Sequence, residues 1–264
     1  MTLVGERGAP LPIAALAAVS ILFLGAPLVG LLARAPWSEL PEQLASPSVR
    51  AALGLSLVAS LSATMLAALL GIPLAWLLAR VEFPGRGLVR TLATLPLVLP
   101  PVVGGVGLLL AFGRLGVVGG WLNSVFGLTF FGTRAGVIVA ETFVAMPFLV
   151  LTVEGALRSS DPRYEDAAAT LGAPRWMTFR RVTLPLIGPA LASGAVLAWA
   201  RALGEFGATI TFAGNLPGTT QTIPLAVYSE LQRNLGGAIA LSLVLVGISL
   251  AIFVGLRGRW LRVL

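Results

Sequence analysis

Long stretches of this chain carry no charged side chain, among them 8–33, 51–79, 91–113, 182–200 and 234–256. A helix needs about 20 apolar residues to cross the hydrocarbon core of a bilayer. Each stretch is close to that length or longer. The composition agrees, with 57% hydrophobic and 11% charged residues, where soluble domains carry about 25% charged. The chain is therefore expected to be built from membrane-spanning helices.

Six spans are predicted, at 11–33, 52–79, 91–112, 135–153, 187–209 and 235–256. The first apolar run follows Glu6 and Arg7 and ends in an Ala-x-Ala pattern at Ala33–Ala35. A cleaved leader has an apolar region of only about 7–15 residues, so this run is read as a retained span. The connection 114–134 holds five Gly, which weaken a helix; it is read as a loop with a short helix. The connection 210–234 carries two Pro and a run of Thr. No soluble domain is expected, and the chain is read as one transmembrane domain over 1–264.

What is missing narrows the chemistry. The chain has no His, no Cys and no Lys; all 18 basic residues are Arg. A P-loop needs its lysine, so the chain is not expected to hydrolyse ATP by itself. Schiff-base chemistry is excluded, as are a Ser-His dyad, a thiol nucleophile and an ordinary zinc site. The net charge of +7 is read as arginines flanking spans, not as a nucleic-acid surface.

The arginines also orient the chain. With both termini in the cytoplasm, twelve arginines fall on inside segments and five outside, with Arg201 inside a span. That is the positive-inside pattern. It places the longest polar connection, 154–186, in the cytoplasm.

Within that connection Asp161 is a good N-cap and Pro162 suits the first helical position. "RYEDAAATL" then reads as a short helix, and Gly172 as the left-handed residue that ends it. Pro174 can open a second helix, "RWMTFRRV", ending near Pro185. Ala167, Ala168 and Ala169 allow another backbone to approach closely. Read from its residues alone, the element is either a docking surface or a solvated connector whose arginines meet lipid head groups.

The spacing goes further. "DAAATLG" at 166–172, nine residues, then "VTLP" at 182–185 resembles the EAA loop of ATP-binding-cassette importer permeases. That pattern runs Glu-Ala-Ala, three residues, Gly, nine residues, Ile, one residue, Leu-Pro. Asp166 stands where the family has Glu, and Val182 where it has Ile. Glu165 sits one place early. The stretches "EFPGRGLVRTLATLPLVLPPVVGG" at 82–105 and "RALGEFGATITFAGNLPGTTQTIPLAVY" at 201–228 resemble molybdate permease subunits, and sulfate permeases share the Gly-Glu-Phe-Gly-Ala core. The likeness covers about 49–264; the span at 11–33 is additional.

The resemblance implies an all-α, polytopic fold of six transmembrane helices, that of type I importer permeases. It implies a transporter subunit, not an enzyme, in the cytoplasmic membrane. It implies a homodimer, two ATPase subunits holding ATP and magnesium, and an external molybdate-binding protein; this chain itself takes no cofactor or metal. The element at 161–185 becomes the coupling helix that docks on the ATPase. Its expected coupling residues are Glu165, Asp166, Ala167, Ala168, Gly172, Arg175, Leu184 and Pro185.

The expected translocation pathway draws on Arg201, Glu205, Pro100, Pro101 and Gly104. Pro96, Pro100 and Pro101 interrupt one apolar span, which is tolerated where freed carbonyls face protein or a water-filled cavity. Arg201 and Glu205, four residues apart, share a helical face and can pair. The pair either fixes packing or offers a passing oxyanion a partly neutralised positive charge. Glu141 also lies within a span and is expected to reach towards the outer surface. Thr209, Thr211, Asn215, Thr219 and Thr220 are read mainly as loop structure. Two other readings stand beside molybdate import. One is the same machine carrying tungstate or sulfate; the other is an ion-coupled secondary transporter, for which Glu205 is the candidate coupling group. An intramembrane hydrolase, without His, ranks last.

Overall fold

The computed structural model describes residues 10–260. Arg7 and Arg262 lie outside the described residues, as do the side chains of Arg257 and Arg259. Helix α1 covers Leu11–Ala33, the short α2 Leu40–Ala45, and α3 Pro47–Arg80. Helix α4, Arg86–Thr94, runs into a 3-10 turn at Leu95–Leu97, and α5 follows at Pro101–Phe112. Then come α6, Val117–Phe126, and α7, Arg134–Ser159. The polar connection holds α8, Arg163–Thr170, and α9, Arg175–Thr178, with a π turn at Phe179–Thr183 and α10 at Leu184–Leu186. Helix α11 covers Gly188–Leu203, α12 Gly207–Phe212, α13 Ile223–Leu231 and α14 Leu235–Trp260. No strand occurs among the described residues.

Each predicted span coincides with helix, but two are broken. Helices α1, α3 and α7 are long and apolar enough to cross a membrane singly, and two bent pairs bring the number to five. The span expected at 91–112 is bent by 118° between the 3-10 turn and α5. Pro100 and Pro101 lack amide donors, so the helical ladder has nothing to continue with there. The segment 175–186 meets α11 at a bend of 73°. The span expected at 187–209 stops at Leu203 and restarts at Gly207. The sixth, 235–256, falls within α14.

The bundle centres on α3 and α7, with α11 against both. The buried side of α3 is a seam of small residues: Ala52, Ser56, Ala59, Ser60, Ala63, Ala67, Gly71 and Ala75. Helices in a membrane gain little from burying apolar surface against each other, so close backbone approach through small residues supplies the attraction. At Gly71 a Cβ would sit 3.1 Å from both Leu149 and Val150. The opposite face of α3 presents Val58, Leu61, Met65 and Leu69 outward, where lipid is the solvent. Polar staples fix the register. Trp199 Nε1 donates to Ser60 Oγ at 2.9 Å, and the amide of Ile223 donates to Ser56 Oγ at 2.7 Å.

Candidate functional site

Three regions carry the residues singled out by sequence. The first is the polar element after α7. Asp161 Oδ1 accepts from the amide of Arg163 at 3.0 Å, so the helix opens one residue later than expected, with Pro162 as its cap. Helix α8 closes on Gly172, whose φ of 79° only glycine adopts without strain. The amide of Ala173 donates to the carbonyl of Ala168, and that of Gly172 to Ala169, which satisfies the last carbonyls. Asp166, Ala167, Gly172 and Arg175 are exposed, Ala168 half-buried. Large apolar groups stand out beside them: Leu171 is 88% exposed, and Tyr164 and Trp176 are exposed too. Leu184 is half-buried and Pro185 exposed at the start of α10.

Glu165 behaves differently from its neighbours. Its Oε1 accepts from Arg80 Nη2 at 3.1 Å and from Thr183 Oγ1 at 3.1 Å. It therefore faces the bundle, where Asp166 faces away from it. A second ionic group lies nearby. Glu154, on α7 and buried, takes Arg90 from α4 and Arg158 from its own helix. Arg86 and Arg158 also donate to the carbonyl of Leu78 near the end of α3. The Glu154–Arg158 spacing was visible in the sequence; the reach of Arg80 to Glu165 and of Arg90 to Glu154 was not.

The second region is the meeting of the two broken spans. Helices α5 and α12 pack backbone to backbone. A Cβ on Gly207 would lie 2.8 Å from Pro101, and one on Gly105 would lie 1.7 Å from Thr211 Oγ1 and 2.8 Å from the carbonyl of Ala208. Gly104 is closed off by Phe143. Arg201 Nη2 pairs with Glu205 Oε2 at 2.5 Å across the break after Leu203. Glu205 is 1% exposed and Arg201 27%. The other carboxylate oxygen of Glu205 accepts from the amide of Ala208 at 2.8 Å, holding the first turn of α12. Pro101 and Gly207 thus bring the proline break close to the ion pair, while Gly104 faces Phe143 of α7. Pro100, Pro101, Val98 and Val102 are exposed in the single chain, an apolar face open in mid-span.

Glu141 does not reach the outer surface. It is 1% exposed on α7, and its Oε2 has no hydrogen-bond partner among the described residues. Of the residues read as loop structure, Asn215, Thr219 and Thr220 lie in the connection after α12, whereas Thr209 and Thr211 lie within α12, and buried Thr209 Oγ1 has no hydrogen-bond partner among the described residues. Thr220 Oγ1 accepts from the amide of Leu216 at 2.8 Å, and Thr211 bonds back to Gly207.

The third region lies at the other end of α3. A cavity of about 570 Å³ opens between the α2 segment and the α12–α14 connections. Gln43, Ser46, Asn215, Gln221, Ser229 and Arg233 are among its polar lining. Asn215 donates to Ser229 Oγ at 3.0 Å.

Comparison with known proteins places these regions in a family. The chain is 45% identical over 243 residues to the molybdenum transport system permease protein ModB of Mycobacterium tuberculosis, covering 92% of each chain. It is 40% identical over 206 residues to the sulfate transport system permease protein CysT of Escherichia coli, covering 78% of this chain and 74% of that one. A solved bacterial ABC transporter, involved in import of the acidic polysaccharide alginate, shares the fold. Its TM-score is 0.75 at 23% identity, over 96% of this chain and 95% of that one. Residues 71–263, which contain the polar element and both broken spans, match the family model described as binding-protein-dependent transport system inner membrane component, and the chain belongs to that family.

Proposed function

We propose that the chain is the permease subunit of an ATP-driven importer that carries molybdate across the cytoplasmic membrane. Two copies form the pathway, with the open faces around Pro100 and Pro101 turned towards each other. The element 161–185 lies in the cytoplasm and docks on a separate ATPase subunit, one per copy, where ATP and magnesium bind. A binding protein delivers the oxyanion outside, at the end of the bundle that holds the polar cavity. ATP binding closes the ATPases, pushes the coupling elements and turns the pathway from inward-facing to outward-facing.

The observation that carries the reading is the outward face of the polar element. Asp166, Ala167, Leu171, Gly172, Arg175 and Trp176 stand exposed on one short helix–turn–helix unit, while Glu165 turns inward to Arg80. Exposed large apolar groups rimmed by charge mark a protein interface. The substrate assignment leans on the molybdenum transport relatives, which exceed the sulfate relatives in identity.

The test is radiolabelled molybdate uptake by proteoliposomes holding this chain, its ATPase and its binding protein. Uptake that needs ATP and is blocked by tungstate but not by sulfate is expected. Block mainly by sulfate would change the substrate and keep the machine. Uptake driven by an ion gradient without ATP would overturn the reading.

A further inference from the structure

Helix α8 has no buried residue. Besides the chain's own continuity and the contact of Phe179 with Trp76 on α3, its hold on the bundle is polar. One side chain supplies it. Glu165 Oε1 takes both Arg80 Nη2 and Thr183 Oγ1, and the same Arg80 nitrogen donates to Ser160 Oγ at 2.8 Å. Arg80 is the last residue of α3, Ser160 directly follows α7, and Thr183 lies in the turn that leads into α11. One carboxylate oxygen therefore ties α8 to the end of α3 and to the turn before α11, and through Arg80 to the residue after α7. Both members of the pair are mostly buried, with side-chain exposures of 16% and 20%. An ion pair there is screened far less than one in open solvent.

The helix it holds is suited to carry motion. Helix α3 is continuous for 34 residues, with Pro73 inside it, and is packed along α7 by small residues. Near its far end Ser56 holds the amide of Ile223 at the start of α13, beside the polar cavity.

We propose that Glu165 is a positioning residue: with Arg80 and Thr183 it forms the strut that passes displacement of the ATPase-docking element to α3 and α11. The proposal rests on the reading that 161–185 docks on an ATPase. It gives Glu165 a role opposite to that of the adjacent Asp166. Asp166 faces the partner, and Glu165 faces this chain's own membrane helices.

The experiment uses the assembled complex in proteoliposomes with wild type, Glu165→Gln, Arg80→Gln, the exchange Arg80→Glu with Glu165→Arg, and Thr183→Val. Two quantities are read: ATPase subunit retained per permease, and ATP hydrolysed per molybdate carried. The strut predicts that E165Q and R80Q keep the ATPase bound but raise the ATP consumed per ion about tenfold, a coupling energy of ordinary size. The exchange variant returns the ratio towards wild type. Thr183→Val, which keeps the ion pair, raises it about threefold and serves if the charge variants do not assemble. A wild-type ratio in E165Q, or in T183V when E165Q cannot be made, would overturn the strut. Loss of ATPase binding in E165Q would also overturn it, because Glu165 would then be an interface residue. Failure of wild type to retain any ATPase would instead sink the docking reading itself.

Discussion

Glu205 is asked to do two things at once. One oxygen caps the first turn of α12 through Ala208, and the other neutralises Arg201. Removing one partner of a buried ion pair leaves a charge without compensation, at a cost of about 3–5 kcal/mol. Arg201→Ala is therefore a poor probe of transport, since it strands the carboxylate. Glu205→Gln is cleaner: the amide oxygen still caps Ala208, and the arginine it leaves unpaired is 27% exposed, where the carboxylate is 1% exposed. If the pair balances attraction for a passing oxyanion, the freed arginine holds the anion longer. The expected result is a lower kcat together with a lower KM for binding-protein-loaded molybdate, because conduction needs binding weak enough to leave. Unchanged kinetics with an intact complex would reduce the pair to packing. The pairing was legible from the four-residue spacing. The capping was not, since it exists only because the helix stops at Leu203.

At the scale of elements, proline positions revealed that a break was present, but not its size. The turn of 118° before α5 is set by what α5 packs against. Gly105 and Gly207 let α5 and α12 touch backbone to backbone, a contact that no periodicity encodes. This gives a paired prediction within one helix. A Cβ at Gly105 meets Thr211 and the Ala208 carbonyl, while one at Gly107 meets nothing within 4 Å. Gly105→Ala is expected to lower stability by at least about 1–3 kcal/mol. Gly107→Ala should leave it unchanged or raise it by about 0.5–1 kcal/mol, from the lower backbone entropy of the unfolded chain. Thermal melts of the two variants in detergent decide the matter. The coupling element offers the contrasting case. Gly172 has open space around it but a positive φ. Gly172→Ala should weaken ATPase docking by up to about tenfold, because holding a left-handed turn with alanine costs about 1–2 kcal/mol. A titration of the purified subunits reads that affinity.

For the molecule as a whole, long apolar runs placed most of the helices, because in lipid the backbone must satisfy its own hydrogen bonds; they did not show where two of the spans break. Which residues of those helices meet one another was less accessible. Helix α3 reads as uniformly apolar, and its inner face is distinguished by size, not polarity. Glu141 differs for a related reason: it stands only seven residues after Arg134, within reach of the surface by sequence, while the packing of α7 in the bundle turns it inward. Orientation rests on arginine counts alone, and it fixes which end meets ATPase and which meets the binding protein. The sequence contains no Cys, so a single introduced thiol reports its side without background. Leu171, 88% exposed in the polar element, and Leu115, 99% exposed between α5 and α6, are suitable positions. In sealed, right-side-out membranes an impermeant maleimide should label Leu115→Cys at once and Leu171→Cys only after permeabilisation. The reverse pattern would invert the chain and move the proposed ATPase site outside the cell, where there is no ATP to drive it. Labelling of both before permeabilisation would require an odd number of crossings between residues 115 and 171 to be wrong, and α7 is the single long helix in that interval. The experiment therefore tests the orientation and the membrane crossing of α7 together, and the coupling mechanism requires both.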